Sequence, residues 1–219
     1  MRLVRRILLL LAAMLFLLPA AAEDGNLLLN GSFELLDGDG LPSGWYTQAW
    51  YNDGTVTAYS MLTEGRTGMA AVVDNLSVND ARFAQNVPVE PDTLYRLSGY
   101  VKALDVPDSG RGANLSIEGL HVYSQSVYNG TGDWELVELY GRTGPEQTSV
   151  TIFARVGGYG DDYLTQGRAA FDDLRLEKAA DVPAGVRPES GTASLRPLRS
   201  PARLSRSRRR KSPSGPGSW

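Results

Sequence analysis

The sequence contains no cysteine among its 219 residues and one histidine, His121. Without cysteine, neither a disulfide framework nor a thiolate metal site can form. The fold must therefore be stabilised by an ordinary hydrophobic core, to which a bound ion could add stability.

Common catalytic motifs are also absent. The sequence has no G-x-S-x-G elbow, H-E-x-x-H pair, Walker loop or dinucleotide-binding fingerprint. His121 lies in the alternating run GLHVY, which favours a strand residue over a general base. Paired carboxyl groups at glycosidase spacing arise easily in an acid-rich chain, so their presence is weak support for catalysis. We predict that the protein is not an enzyme; a small glycan-active hydrolase or lyase is the alternative.

Positive charge is scarce in the central region and concentrated at the C-terminal end. Residues 23–186 hold 10 Lys and Arg against 24 Asp and Glu, whereas residues 187–219 hold 9 against 1. Binding of nucleic acid relies on Lys and Arg that neutralise phosphates, so the acidic region is a poor candidate for it. Acidic clusters fit solubility or the binding of hard cations better.

One long apolar run is present, and it lies at the N-terminus. Residues 7–18 are apolar, three arginines precede them, and the small-residue stretch PAAA follows at 19–22. This pattern predicts a secretory signal peptide over residues 1–22. Twelve residues are too few to cross a membrane, which needs about 20. We expect a secreted or extracytoplasmic protein, in solution or associated with the cell envelope.

The C-terminal residues 181–219 differ in composition from the rest of the chain. They are rich in Arg, Ser, Pro and Gly and poor in branched apolar residues, which predicts a disordered tail. A basic arm for a polyanion and an out-of-frame translation product are alternatives for this segment. The folded domain is therefore expected within residues 23–180.

Short strands separated by turn residues fill this domain. In LYRLSGYVKAL, Leu97 and Val101 fall on one face while Arg96 and Tyr100 fall on the other, as in a strand with one buried side. The pattern predicts an all-β fold, a two-sheet antiparallel jelly-roll sandwich. Predicted strands cover residues 56–62, 69–73, 81–87, 94–104, 114–123, 134–143, 149–157 and 168–177, and residues 26–33 are expected to form an opening strand.

The domain has more aromatic residues than one core needs. A sugar ring presents an apolar C–H face and a rim of hydroxyl groups, so its binding site needs flat rings beside planar polar side chains. The aromatic candidates are Trp45, Trp50, Tyr51, Tyr59, Tyr100, Tyr123, Tyr128, Tyr159 and Tyr163. The polar candidates are Arg82, Gln85, Arg96, Asn114, Glu118 and Gln125.

The order of several segments resembles a known family. NLLLNGSFE, LPSGW, EGRTGMAAVV, ARFAQNVPVEPDTLYRLSGYVKA, GDWELVELYGRT and AAFDDLRLEK follow one another as in CenC-like carbohydrate-binding modules of families 4, 9 and 22. These modules belong to the galactose-binding-like jelly rolls. The resemblance covers residues 26–178 and implies non-catalytic binding of a carbohydrate polymer or cell-surface glycan, beside an appended catalytic or surface domain. A non-sugar interaction or adhesion module of the same fold is the alternative.

The resemblance also implies a structural Ca²⁺ near the joined ends of the domain. Its ligands would be Glu34 from GSFE and Asp172 or Asp173 from FDDL, with oxygen atoms from the EGRTG turn. Ca²⁺ prefers six to eight oxygen ligands, which agrees with this set. Strand alternation places Asp173 with Phe171 and Asp172 with Leu174, and the family resemblance does not decide between the two aspartates. The segment DGDG at 37–40 is interpreted as a turn.

The implied sugar site rests on looser matches. Arg82 and Gln85 fit the polar residues that the family places on the strand before YRLSGYV, and Tyr100 and Tyr123 are expected on neighbouring strands. The predicted ligand-binding residues are Trp50, Arg82, Gln85, Tyr100, Tyr123 and Gln125.

Overall fold

The computed structural model describes residues 25–118, 122–130 and 132–184, together with the backbone of residues 189–190. The predicted signal peptide, His121 and most of the predicted C-terminal tail lie outside these residues. Within the described residues, no helix is long and apolar enough to cross a membrane.

In the described part of the chain, ten strands form two sheets that pack face to face. The first sheet has four strands in the order β1-β4-β8-β6, and the second has six in the order β10-β7-β5-β9-β3-β2. Neighbouring strands are antiparallel except for β10, which pairs with β7 in parallel. The predicted two-sheet jelly-roll sandwich is confirmed. The strands are Tyr46–Ala49 (β1), Thr57–Leu62 (β2), Ala70–Asn79 (β3), Ala81–Pro88 (β4), Leu94–Asp105 (β5), Ala113–Ile117 (β6), Glu135–Arg142 (β7), Ser149–Val156 (β8), Thr165–Lys178 (β9) and Glu189–Ser190 (β10).

The core lies between the sheets and is built by strand alternation. Leu97 and Val101 from β5 and Ala154 and Val156 from β8 face inward and have almost no exposed surface. Alternate residues of these strands lie on the two outer faces. The polar side chains that could bind a ligand are therefore divided between two opposite surfaces of the domain.

The opening segment is not a strand, which corrects the expectation for residues 26–33. This segment follows β9 through a few separate hydrogen bonds instead of a continuous ladder. The Leu27 N–H donates to the Leu176 carbonyl at 2.9 Å, and the Leu174 N–H donates to the Gly31 carbonyl at 2.8 Å. The Asn26 amide adds bonds to the backbone at Leu174 and Leu176, at 3.0 Å each. The start and end of the domain are thus joined.

The boundaries of two other regions differ from the sequence prediction. Strand β1 and the second half of β3 were not predicted, because their residues are mostly polar. Asn75 in β3 is nevertheless buried, and its amide donates to the carbonyls of Asn79, Val156 and Thr165 at 2.9 to 3.2 Å. The predicted strand at 114–123 ends at Ile117, and Tyr123 forms an isolated bridge to Ser116.

A β-bulge in β9 breaks the alternation that placed Asp173 with Phe171 and Asp172 with Leu174. The register jumps by one residue between the Ser98 and Arg175 pair and the Tyr100 and Asp172 pair. Asp173 adopts a positive φ of 50° at the bulge. As a result, Phe171 and Leu174 are both fully buried although they are three residues apart.

Candidate functional site

The outer face of the four-stranded sheet carries a continuous row of polar side chains. Gln48 in β1 is opposite Arg82 in β4, and Arg82 is opposite Arg155 in β8. Arg155 is in turn opposite Asn114 in β6. At strand spacings of 4.7–4.9 Å, this row extends about 15 Å across the sheet. We call this surface the four-stranded face.

Two exposed aromatic residues stand along the β1 edge of the four-stranded face. Tyr46 is 38% exposed, and its hydroxyl donates to Asn86 Oδ1 at 3.1 Å. Thr151 donates to the same oxygen at 2.8 Å, which orients the Asn86 amide. Trp50 follows β1 directly, is 37% exposed and continues the alternation of Tyr46 and Gln48. These rings are available to an extended ligand.

Burial and nearby charge both act on Tyr46. Partial burial raises the pKa of its phenol, and the negative charge of Glu118 raises it further. Hydrogen bonding with Thr151 and Asn86 and the positive charge of Arg82 lower the pKa and so act in the opposite direction. Tyr46 therefore remains a neutral hydroxyl at physiological pH, able to donate and accept hydrogen bonds.

A buried ion cluster lies near the Trp50 end of the four-stranded face. Asp80 accepts two bonds at 2.5 Å, from Arg155 Nε and from Arg155 Nη2. Arg82 Nη1 donates to the same carboxylate at 2.8 Å, and Arg82 Nε donates to Gln48 at 3.1 Å. Arg155 and Asp80 are fully buried and Arg82 is nearly so. Such an arrangement fixes both guanidinium groups in one geometry.

Tyrosine rings lie over these guanidinium groups. The Arg155 guanidinium carbon is 4.0 Å from the centroid of Tyr159 and 5.4 Å from that of Tyr123. The Tyr159 N–H donates to the Tyr123 hydroxyl at 3.1 Å, which links the two residues. Arg111 stacks on the Tyr123 ring with its guanidinium carbon 4.3 Å from the centroid. Cations and rings therefore alternate at this end of the face.

Three of the six predicted ligand-binding residues belong to this face. Trp50, Arg82 and Tyr123 occupy it together with Gln48 and Tyr46. Trp50 is the most exposed of the three, whereas Arg82 is held in the ion cluster and Tyr123 is half-buried.

Gln85 has another environment. Its side chain is 3% exposed and turns toward the opening segment. Gln85 Oε1 accepts from the Leu29 N–H at 2.8 Å, while Nε2 donates to the Leu29 and Gly44 carbonyls at 2.9 and 3.1 Å. All of its polar atoms are thus used to hold the backbone of residues 29 and 44.

Tyr100 and Gln125 are away from the four-stranded face. Tyr100 belongs to β5 in the six-stranded sheet, whereas Tyr123 bridges to β6 in the four-stranded sheet. The expectation that these two tyrosines lie on neighbouring strands is therefore wrong. Gln125 is exposed and donates to the Leu136 carbonyl in β7 at 3.2 Å. Alternation defines the two faces of each strand but not the sheet to which the strand belongs.

A groove of about 400 Å³ lies on the outer face of the six-stranded sheet around Tyr100. Arg66 covers this ring at 3.6 Å from its centroid and pairs with Asp173 at 2.7 Å. Arg96 pairs with Glu138 at 2.7 Å, and Arg175 pairs with Glu177 at 2.8 Å. The groove is thus balanced in charge, and its cations already have carboxylate partners.

The predicted metal ligands Glu34 and Asp172 meet at the turn of residues 64–69. Glu34 Oε1 accepts from the Met69 N–H at 2.7 Å. Asp172 Oδ2 accepts from the N–H groups of Arg66 and Thr67 at 2.8 and 3.0 Å. Gly68 has a φ of +71°, a conformation that favours glycine, and a Cβ there would lie 2.3 Å from the Glu34 carboxylate and displace it.

The two aspartates of the bulge have different surroundings. Asp172 is fully buried, and this burial, with the charge of Asp173 adding to it, raises its pKa to about 6. Both carboxylate oxygens of Asp173 are occupied, one by Arg66 and the other by the Thr67 hydroxyl at 2.8 Å. Of the two, Asp172 is the one without a cationic side chain against it.

Across residues 25–118, 122–130 and 132–184, no group of three or more His, Asp or Glu side chains is arranged to hold a metal ion. Glu34 and Asp172 supply two carboxylates at one turn. Ca²⁺ takes backbone carbonyls as readily as carboxylates. The donor set therefore fits Ca²⁺ if turn carbonyls complete it, and it does not fit a metal that needs histidine or thiolate ligands.

Sequence reasoning did not identify several residues of the four-stranded face. Tyr46 and Gln48 belong to a strand too polar and short to be predicted, and Asp80 lies between two strands. Arg155 could have been placed on the outer face from the sequence, because in SVTIFARVG it alternates with the inward residues Ala154 and Val156. Arg111 lies in a glycine-rich turn that carried no signal.

Comparisons with known proteins agree with the fold. No protein-family model matches the chain. Exochitinase 1 of Streptomyces olivaceoviridis is 30% identical over 183 residues, which are 80% of this chain and 26% of that protein. The chain therefore spans about a quarter of the length of this relative. The enzymatically active domain of tailspike protein 4 from bacteriophage CBA120 is similar with a TM-score of 0.50 and 16% identity, over 70% of this chain and 21% of that one. The module TmCBM61, solved with β-1,4-galactotriose, has a TM-score of 0.47 and 17% identity over 70% and 99% of the two chains.

Proposed function

We propose that this protein binds carbohydrate on the four-stranded face and does not cleave it. One observation carries the proposal: exposed Tyr46 and Trp50 flank a row of planar polar groups from Gln48, Arg82 and Asn86 on one sheet surface. Rings that stack on sugar C–H faces, beside fixed donors and acceptors, are the elements that a sugar site needs.

The similarity to part of a chitinase supports an accessory role. The matching segment is 26% of that enzyme. We propose that the domain attaches a catalytic or surface domain to a glycan, after export directed by residues 1–22. The proposed compartment is outside the cytoplasm, where polysaccharides are accessible.

A structural Ca²⁺ is the second part of the proposal. Glu34 and Asp172 would hold the ion at the turn of residues 64–69, with backbone carbonyls as further ligands. Bound there, the ion would neutralise the buried Asp172 carboxylate and tie the opening segment to β9. This role is structural and lies apart from the four-stranded face.

Affinity electrophoresis and a glycan array on the full chain, each with and without EDTA, test the proposal. Retention by at least one glycan, weakened in Trp50→Ala, is the expected result. No retention on any glycan would support a non-sugar interaction module of the same fold. Release of reducing ends or unsaturated products would support a hydrolase or lyase.

A further inference from the structure

Three guanidinium groups gather at the Trp50 end of the four-stranded face, within an acidic domain. Arg82, Arg111 and Arg155 lie there with the carboxylates of Asp80 and Glu118. Residues 23–186 as a whole hold 24 acidic against 10 basic side chains. This concentration of guanidinium groups contrasts with the net negative charge of the domain as a whole.

Arg111 differs from the other two arginines of this end. Arg82 and Arg155 both pair with Asp80 at 2.8 Å or less. Among the described residues, Arg111 has no carboxylate within 4.0 Å, although Asp161 and Asp162 lie in the turn that follows Tyr159. Its side chain is held by stacking on Tyr123 at 4.3 Å and by close packing against Gly158.

Unsatisfied polar atoms are found at the same place. Within the described residues, two buried side-chain atoms lack a hydrogen-bond partner, namely Arg111 Nε and Asn114 Oδ1. Asn114 is opposite Arg155 in the sheet register, and its Nδ2 donates to the Gly112 and Gly157 carbonyls at 3.3 and 3.0 Å, which fixes the amide. Buried polar atoms normally form hydrogen bonds. At this end of the face, Arg111 Nε lacks an acceptor and Asn114 Oδ1 lacks a donor.

We propose that this end of the face binds the carboxylate of an acidic sugar, with Arg111 as the residue that recognises it. This inference rests on the proposed carbohydrate binding and names its ligand class, a glycan that carries isolated uronic acid units. A guanidinium group binds a carboxylate through two parallel N–H donors, and the Tyr123 ring behind Arg111 holds that fork in place.

The charge of the domain restricts the ligand further. Its excess of acidic residues repels densely charged chains, whereas one carboxylate at the guanidinium group is attracted at short range. A glycan with spaced uronic acids therefore fits better than a sulfated polymer or a nucleic acid.

Carboxyl reduction provides a matched pair of ligands for the test. Glucuronic-acid-substituted xylan is compared with the same xylan after its carboxylates have been reduced to primary alcohols. The full chain is titrated with each form, and the ratio of the two Kd values is measured. We expect the wild type to prefer the acidic form about tenfold or more, and Arg111→Gln to bring this ratio close to one.

Two further variants separate recognition from general charge. Arg111→Lys should keep part of the preference, because it retains the charge and loses the fork. Arg142→Gln removes the same charge from an exposed side chain of the six-stranded sheet and should leave the ratio as in the wild type. Polyglutamate reports attraction to the basic C-terminal residues, which no substitution at Arg111 should alter.

The outcomes distinguish this inference from the proposed function. Equal binding of acidic and reduced glycans overturns the inference and leaves carbohydrate binding intact. A preference that persists in Arg111→Gln overturns the assignment to Arg111. Absence of binding to every glycan, acidic or reduced, overturns both.

Discussion

Asp80 and Arg155 are 75 residues apart in sequence and form a fully buried, two-bond ion pair. Arg82 donates to the same carboxylate at 2.8 Å, so one negative charge holds two arginines beneath the candidate site. The strands β4 and β8 are therefore locked in register by charge as well as by their backbone ladder. Several expectations follow from this cluster and from the surfaces around it.

Asp80→Asn should destabilise the domain strongly. The change leaves two nearly buried guanidinium groups without a countercharge, which costs about 3 to 5 kcal/mol. Urea unfolding monitored by circular dichroism measures the loss. Asp74→Asn is the control, because Asp74 is partly exposed and 3.9 Å from Arg168, and its effect should stay below about 1 kcal/mol. Equal effects of the two substitutions would contradict the structural role of Asp80.

Tyr46→Ala and Trp50→Ala should each weaken glycan binding about tenfold, or about 1.4 kcal/mol. Each variant removes an exposed ring from the four-stranded face. Tyr100→Ala is the matched control, because that ring lies beneath Arg66 on the opposite sheet. Isothermal titration with the best glycan from the array measures the three affinities. A loss of binding confined to Tyr100→Ala would place the site on the six-stranded sheet.

Gln85→Ala should destabilise the domain by about 2 kcal/mol. The Leu29 N–H and the Gly44 carbonyl lose their partner, and each lost bond is worth about 1 kcal/mol. The Leu29 carbonyl keeps a bond from Trp45 Nε1. Hydrogen exchange at residues 29 and 44 should accelerate first. Gln166→Ala removes an exposed amide with one bond to Leu76 and serves as the control. Unchanged exchange in Gln85→Ala would show that the opening segment is held by other contacts.

Addition of Ca²⁺ at pH 7.5 should raise the Tm, and EDTA should reverse the increase. Asp172→Asn should abolish the response, whereas Asp173→Asn should keep it, because Asp173 is already paired with Arg66. Differential scanning fluorimetry and isothermal titration report stability and binding separately. A Tm that changes neither on addition of Ca²⁺ nor on addition of EDTA would exclude a stabilising ion at this turn.

The titration of Tyr59 should lower the free energy of unfolding at alkaline pH. Burial raises the pKa of its phenol to about 12, while the unfolded chain titrates near 10. The unfolded state therefore loses this proton first, and the free energy of unfolding falls as the pH rises from about 10 to 12, by up to about 2 kcal/mol. Tyr59→Phe lacks this titration, although it also loses the bond to the Gln48 carbonyl at 2.6 Å. The stability gap between wild type and variant should thus narrow above pH 10; a constant gap would contradict the burial of Tyr59.

The sequence predicts those parts of the fold in which side chains alternate regularly. Strands β5 and β8 follow the period of two, so their cores and outer faces could be assigned from residues such as Leu97 and Val156. The bulge at Asp172 and Asp173 breaks that period, and it faces Gly99, where a Cβ would lie 2.8 Å from the Leu174 side chain. Such a pairing between distant strands leaves no local pattern.

The candidate site was less predictable than the fold. Trp50, Arg82 and Tyr100 were predicted by residue type, but Tyr100 lies on the other sheet from Tyr123, because alternation does not say which sheet a strand joins. Gln85 was predicted to bind the ligand, whereas in the structure its amide holds the backbone of residues 29 and 44. Buried charges such as Asp80 are hard to expect, since their burial is tolerated only when partners from distant strands arrive together.

The attachment of the opening segment to β9 has a mechanical consequence. Residues 27 and 176 are bonded to each other, as are 31 and 174, so the opening segment and β9 run side by side in opposite directions. A pulling force that separates the start of the opening segment from the end of β9 would break these hydrogen bonds one after another, instead of loading all of them at once in shear. When a tether holds a domain to an insoluble polymer, this segment is the part expected to yield first, while the sheets behind it stay folded.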